Sequence, residues 1–463
     1  MYSRIPWIIS RRRKIIAITI DSLLTLSLYN YIFFKEIGSY PSKLVSISLL
    51  LFWIIVSYVL GRYIKTAKIT FTSFLNALFK SIFVFLLCNL VFLVINWWLP
   101  LIFYWDTANY SNYNSRELSN LFIRVSSYIS ILSLLIQYFF SIITYNIYDK
   151  RNEWIFYGKE SKFKDLIEEV GSLKKNMKIL HISNKDNFQD INIKNTKGII
   201  IGDFNDINKT NLDIIFKLKL KGIIVEGLLT WFEKEFHRMP TQIIENKYQL
   251  IEKLKSIEDN YQLRIKRIGD ILVSLFLIIL TSPIFLLIIF FIFFEDKGPL
   301  FYTQIRTGLN GQRIKIYKFR SMIINAEKNG IQWSLKSDPR VTKTGSFLRV
   351  TRLDELPQLW CVIKGDMSLI GPRPERPEIE QNFLKEIPYY KYRNILRPGI
   401  SGWAQVNYPY GASILDSTKK LSFDIYYISH FSFLLDILIL LKTIRIVLNA
   451  QGSKPSETYN YKS

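Results

Sequence analysis

Four apolar runs occupy the first third of the chain, at residues 15–34, 44–60, 74–99 and 121–145. Each is close to the roughly 20 residues that a helix needs to cross a bilayer, so together they predict a membrane α-helical bundle over 1–147. Basic residues cluster at Arg11-Arg12-Arg13-Lys14, at Arg62, Lys65 and Lys68, and at Lys150 and Arg151. The alternate loops carry mixed charge, with Lys35, Glu36 and Lys43 in one and Asp106, Arg116 and Glu117 in the other. Cations favour the cytosolic side of a membrane. Both ends of the bundle are therefore expected to face the cytosol.

From 148 to 258 the pattern changes. Short apolar stretches at 154–157, 178–182, 198–201 and 222–225 alternate with helical periodicity at 162–170 and 211–220. That alternation predicts a small Rossmann-like α/β domain with parallel strands. The turn after its first strand, Tyr157-Gly158-Lys159-Glu160-Ser161, lacks the spaced glycines of a dinucleotide site. A structural or regulatory module is the favoured reading.

A further run, 271–294, would reach roughly 36 Å as a straight helix, enough to cross. Yet both flanks are basic, with Arg264, Lys266 and Arg267 before it and Lys297, Arg306 and Arg313 after it, and Ser282-Pro283 sits in its middle. Proline removes a backbone donor and breaks or kinks a helix. A re-entrant membrane helix over 268–294, entering and leaving one face, satisfies both observations. Lys266, Arg267, Ser282 and Pro283 would define this hairpin, and an ordinary kinked span is the competing reading. The last run, 431–447, carries polar residues near helical spacing and reads as an interfacial helix. Residues 452–463 are polar and expected to be disordered.

Across its 463 residues the chain has 61 Lys and Arg against 38 Asp and Glu, a formal charge of +23. Such an excess suits nucleic acid, an anionic membrane surface or a polyanionic substrate. The length of the apolar runs argues against a nucleic-acid binder. Two cysteines, Cys88 and Cys361, provide neither a disulfide framework nor a metal cluster, and His181, His237 and His430 are scattered. No cleavable signal pattern is expected, because the first run is long enough to stay in the membrane.

Candidate chemistry gathers around TRLDELPQLW, where Asp354 and Glu355 lie just ahead of Pro357. Proline is tolerated in a first helical turn, so Asp354 is expected at a helix N-terminus with Pro357 inside the opening turn. Free amides and the helix dipole there favour carboxylate and phosphate alike. An ionised aspartate can attack phosphorus, and two adjacent carboxylates suit Mg²⁺. An isolated Asp-Glu pair is more often a simple acidic cap. The surrounding cations change that balance, because phosphoryl transfer needs its developing charge neutralised. They are Lys318 and Arg320 in KFRSM, Arg340 in DPRVT, Arg352 before the pair, Arg373 between Pro372 and Pro374, and Arg397 in RPGISGWAQV. Asp338 could bind metal, but its place before Pro339 favours a turn former. Trp403, Tyr408 and Tyr410 would either stack on a base or sugar, or anchor at the membrane interface.

These motifs, in this order between about Lys266 and Gln451, resemble the bacterial sugar transferase family, the monotopic phosphoglycosyl transferases. The resemblance implies a mixed α/β catalytic domain over 262–451, anchored by the re-entrant helix on the cytoplasmic face of a bacterial inner membrane. It implies that Asp354 attacks the sugar-bearing phosphorus of a UDP-sugar and expels UMP. Undecaprenyl phosphate would then take the phosphosugar, with Glu355 binding Mg²⁺ or assisting it, and with the cations named above holding substrate. The partners implied are a UDP-sugar donor, the undecaprenyl phosphate acceptor and membrane lipids. Larger members with a helical bundle and an α/β domain serve exopolysaccharide, capsule or O-antigen assembly and are often homodimers. Cys361 stands where relatives often carry Asn. Tyr408-Pro409-Tyr410 departs from a shorter glycine-containing form, which leaves open the acceptor contacts and the sugar, whether glucose, galactose, or an N-acetylated or dideoxy sugar. Two rival readings are a membrane scaffold that has lost activity and a one-step transferase with no covalent intermediate.

Overall fold

The first four apolar runs form helices α1 (Arg12–Ile37), α2 (Lys43–Val59), α3 (Phe71–Trp98) and α4 (Ser115–Tyr148). The computed structural model describes residues 12–38, 40–41, 43–63, 71–98, 115–148, 153–171, 177–183, 196–244, 250, 254, 261–324, 326, 338–409, 411 and 413–448. They fall into two compact units, one of residues 1–152 and 192–196, the other of residues 153–191 and 197–463. By length and composition α1 and α4 hold stretches sufficient to cross a membrane, while the described apolar stretches of α2 and α3 are shorter. Tyr29, Phe33, Trp53, Val84, Cys88, Phe122, Val125 and Ile129 fill the bundle interior.

The bundle also encloses a carboxylate, and ionisable groups inside apolar surroundings need partners. Asp21 accepts from Trp53 Nε1 at 3.2 Å, from the Tyr63 hydroxyl and from the Ser133 hydroxyl. Arg62 lies 3.9 Å from Asp21 and donates to Ser133. Arg62 was expected to mark the cytosolic side but is turned into the bundle, because Asp21 needs a counter-charge there. Lys65, Lys68, Lys150, Arg151 and the tail 452–463 lie outside the described residues.

In the second unit, β1 (Glu153–Tyr157), β2 (Lys178–Ile182), β3 (Thr196–Ile201) and β4 (Ile224–Gly227) form a sheet in the order β2-β1-β3-β4. β1 pairs with β2, and β3 with β4, in parallel. Helices α5 (Glu160–Val170), α6 (Lys209–Leu220) and α7 (Leu228–Phe236) connect and flank it. β4 starts two residues later than its apolar pattern, because Gly222 turns the chain at a φ of +86° on leaving α6. α7 follows β4 without a loop, and its Trp231 and Phe232 pack on Trp154 and Phe156. In such sheets ligands bind beyond the strand C-termini where the strand order reverses, here between β1 and β3. That place is filled by the chain itself. The Phe156 ring lies against Gly202, and ion pairs Lys159–Asp206 (3.4 Å) and Lys162–Asp203 (3.5 Å) bridge the loops.

The expected helix-break-helix is instead one helix, α8 (Tyr261–Asp296), running through Pro283. Proline lacks the N–H that would reach the Ile279 carbonyl. Ser282 Oγ donates to that same carbonyl at 2.8 Å, so the acceptor that the proline frees keeps a donor. Two of the three basic residues in the first turns of α8 face inward, while Arg264 is exposed. Lys266 is buried and pairs with Asp436 at 2.7 Å, and Arg267 donates to the carbonyls of Val362 and Ile363 at 2.6 and 2.8 Å. Toward the other end, Glu295 accepts from the Thr344 amide, while Ile288 and Ile292 pack with Phe319 and Leu348.

Beyond α8, β5 (Phe301–Thr307) and β6 (Arg313–Phe319) form an antiparallel hairpin. Then follow α9 (Lys343–Thr351), α10 (Gln358–Lys364), β7 (Ser368–Ile370), α11 (Pro377–Glu386) and β8 (Gly399–Ser401), the last parallel to β7. α12 (Trp403–Asn407), α13 (Ile414–His430) and α14 (Phe433–Leu448) complete the unit. α14 buries Leu435, Leu438 and Ile439 and leaves Phe433, Leu434, Ile437 and Leu448 exposed. Trp403 is buried, donates its indole N–H to the His237 carbonyl at 2.8 Å and stacks on Tyr426. It is an internal anchor joining the α/β layer to α13, not a stacking platform for substrate. Tyr408 donates to Asp416, and Tyr410 lies outside the described residues.

Candidate active site

The carboxylate pair sits on a tight reversal. α9 ends at Arg352 in the left-handed region (φ 58°), a conformation uncommon for a residue with a Cβ. A single 3₁₀ turn, Leu353–Glu355, follows. Leu353 and Leu356 pack onto the Phe319–Leu348 cluster, and the two carboxylates between them share the other side. The pair thus precedes α10 by a turn. Pro357 stands just ahead of that helix rather than inside it, and side-chain cations rather than helix amides meet the charge.

Glu355 Oε1 accepts from Lys318 Nζ and from Arg373 Nη2, both at 2.8 Å, with Arg352 Nη1 at 3.7 Å. Burial alone would raise its pKa, but Arg373, Lys318 and Arg352 outweigh burial and hold the carboxyl well below its ordinary range. Asp354 behaves in the opposite way. Burial and then the negative charge of Glu355 push its pKa up, against the pull of Lys318, Arg352 and Arg349. Its Oδ1 is buried and makes no hydrogen bond. Two neighbouring acids are therefore split into a fixed, charge-matched carboxylate and a more basic one with an unused oxygen. Such divergence marks acids with separate tasks.

Of the six cations expected around substrate, Lys318, Arg352 and Arg373 converge on the pair. The other three lie elsewhere. Arg320 is buried against Gly298, where a Cβ would fall 2.0 Å from its Nη1. Arg340 grips Asp338 through Nε (2.8 Å) and Nη2 (2.6 Å), and its amide donates to Asp338 Oδ1 at 3.1 Å in a turn closed by that aspartate. Arg397 is exposed and donates to the Gly365 carbonyl at the far end of α10. With Arg267 it meets the last carbonyls of that helix, a common use of arginine at a C-terminus.

Arg373 owes its position to glycines behind it. Gly371 and Gly399 lie back to back, linked by Gly371 N to Ser401 O (2.8 Å) and Gly399 N to Pro372 O (2.9 Å). A Cβ on Gly371 would meet the Arg397 carbonyl at 2.4 Å. Sequence reasoning missed Arg349, which donates to Ser321 Oγ and helps stabilise the Asp354 charge. Its spacing of three from Arg352 on α9 was the available signal. It also missed Arg393, whose neighbours in the sequence are unremarkable.

Among the described residues no group of three or more His, Cys, Asp or Glu comes together as a metal site. The unpartnered Asp354 oxygen would suit Mg²⁺, an ion that commonly uses one or two carboxylates together with phosphate oxygens.

Residues 261–450 match the family described as bacterial sugar transferase. An uncharacterized sugar transferase of Bacillus subtilis (strain 168) is 38% identical over 192 residues, covering 41% of this chain and 89% of that protein. The chain belongs to the bacterial sugar transferase family. Similarity extends to the UDP-N-acetylgalactosamine-undecaprenyl-phosphate N-acetylgalactosaminephosphotransferase of Aeromonas hydrophila, 48% identical over 190 residues, 41% of this chain and 45% of that protein. It extends also to the UDP-glucose:undecaprenyl-phosphate glucose-1-phosphate transferase of Klebsiella pneumoniae, 40% identical over 181 residues, 39% of each chain. The chain thus spans less than half the length of these two relatives.

Proposed function

We propose that this membrane protein transfers a sugar-1-phosphate from a UDP-sugar to undecaprenyl phosphate, the step that begins assembly of a surface polysaccharide. The observation that carries the reading is the buried Asp354, its Oδ1 unpartnered, beside a Glu355 matched by Lys318, Arg352 and Arg373. An Asp354 oxygen attacks the sugar-bearing phosphorus, and the bond to the α-phosphate breaks with its electron pair leaving on UMP. An oxygen of undecaprenyl phosphate then attacks the same phosphorus and displaces the aspartate, giving undecaprenyl-diphosphate sugar. Lys318, Arg352 and Arg373 disperse charge on the phosphoryl oxygens, and Glu355 keeps them in place. A bound Mg²⁺ would neutralise the diphosphate.

Both ends of α8 are held by the same domain, at Arg267 and at Glu295. This supports a helix that, bent at Pro283, dips into one leaflet and returns, leaving the site on the cytoplasmic face where nucleotide sugars are made. Release of UMP from a panel of UDP-sugars with undecaprenyl phosphate tests the activity, with UDP-N-acetylgalactosamine and UDP-glucose first. Mass spectrometry of protein quenched without acceptor should find a phosphosugar on Asp354. Active enzyme with no such adduct, and without ping-pong kinetics, would favour a one-step transfer.

A further inference from the structure

The segment carrying Arg373 is gripped with unusual completeness. Pro372 and Pro374 fix φ on both sides of it, so the orientation of the intervening peptide planes is the freedom that remains. Each carbonyl in the run has its own donor. Gly399 N meets Pro372 O at 2.9 Å, Arg393 Nη2 meets Arg373 O at 2.9 Å, Arg306 Nη1 meets Pro374 O at 3.2 Å, and Thr307 N meets Glu375 O at 2.9 Å. The carbonyl of Arg373 itself is thus held by a charged side chain from a distant 3₁₀ turn, Tyr390–Ile395.

Arg393 is only 5% exposed, and a buried guanidinium is costly unless matched. Its match is Asp424 on α13, at 3.0 Å and itself 2% exposed, with Glu375 at 3.7 Å and the Tyr390 hydroxyl as acceptor. An apolar residue would fill this space at lower electrostatic cost. What the guanidinium adds is a rigid planar fork that reaches several acceptors at once. We propose that Arg393, seated on Asp424, is a positioning residue for phosphoryl transfer, orienting the Arg373 peptide so that its guanidinium meets Glu355 and the substrate phosphate. The proposal rests on the transferase reading above. It places the support for a catalytic cation on a helix that sequence reasoning had no reason to link to the site.

The test uses the full chain in detergent or nanodiscs, with Arg393→Lys, Asp424→Asn and Arg373→Ala alone and in pairs. Lysine keeps the charge but cannot bridge Arg373 O, Glu375 and Tyr390 together. Arg393→Lys should lower kcat for UMP release by about 10²-fold, the scale of a misplacement near 1 Å, with a much smaller change in KM for the UDP-sugar. In the Arg373→Ala background the same substitution should cost nothing further, since contributions made through one group are not additive. Asp424→Asn, which preserves shape, should show the same dependence with a smaller loss, and it carries the test if Arg393→Lys fails to fold. Losses that multiply in both backgrounds and track a fall in Tm would overturn the positioning role alone. A wild-type protein that releases no UMP from any UDP-sugar would overturn the transferase reading and this proposal with it.

Discussion

Asp354 and Glu355 are neighbours with opposite titration behaviour, and the cause is which oxygen each cation reaches. Lys318 and Arg373 both terminate on Glu355, leaving Asp354 to bear burial and the charge of Glu355 with its pKa raised. If Asp354 must be ionised to attack, turnover falls as pH drops through that raised pKa. The acidic limb of kcat/KM should therefore lie above the usual aspartate value of about 3.9. Replacing Glu355 by Gln removes a charge that raises the Asp354 pKa and releases Lys318 and Arg373 toward it, so the limb should move to lower pH. A profile whose acidic limb stays put in Glu355→Gln would contradict this assignment. The cation cluster was legible as a set of residues, but the sequence could not separate Lys318, Arg352 and Arg373 from Arg320, Arg340 and Arg397. Four of them stand beside proline or acidic residues and Lys318 and Arg320 share one short run, so only the folded backbone decides which acceptor is within reach.

At the scale of elements, two close backbone approaches matter more than propensity. The β7–β8 pair brings Gly371 against Gly399, and the Pro-Arg-Pro segment leaves from that contact. Gly371→Ala should force the strands apart, costing about 1–3 kcal/mol as for other overpacked sites and depressing activity through Arg373, read by thermal unfolding and UMP release together. In α8, Ser282 satisfies the carbonyl freed by Pro283. Ser282→Ala should leave Ile279 O without a partner in an apolar setting, at about 1–3 kcal/mol, whereas Pro283→Ala restores the backbone bond and should make the serine dispensable. The double variant being as unstable as Ser282→Ala would refute that account. Proline at 283 predicts a break in this helix. The proline signal was sound, yet the helix continues, because a neighbouring hydroxyl repairs the bond a proline removes.

Across the second unit, the α/β layer and the region beyond 261 meet through Trp403, His237 and Met239. Trp403 donates to His237 O, and Met239 N donates to Ser422 O at 2.8 Å. Trp403→Phe should lose about 0.5–1.5 kcal/mol with the hydrogen bond while leaving KM for the UDP-sugar unchanged. A raised KM at constant stability would return Trp403 to a role in substrate binding. The chain's apolar periodicity by itself determined four N-terminal helices, a parallel α/β layer and one long apolar helix. Burial of nonpolar side chains is a local, repeating demand that a linear pattern records. It also brought the acidic pair and its supply of cations to notice, because their chemistry needs particular residue types. Tertiary structure alone decided that Arg62, Lys266 and Arg267 turn inward, that three of six cations reach Glu355, and that Arg393 stands behind Arg373. Those outcomes depend on distances between residues far apart in the chain, and electrostatic and hydrogen-bond energies fall away over a few ångströms.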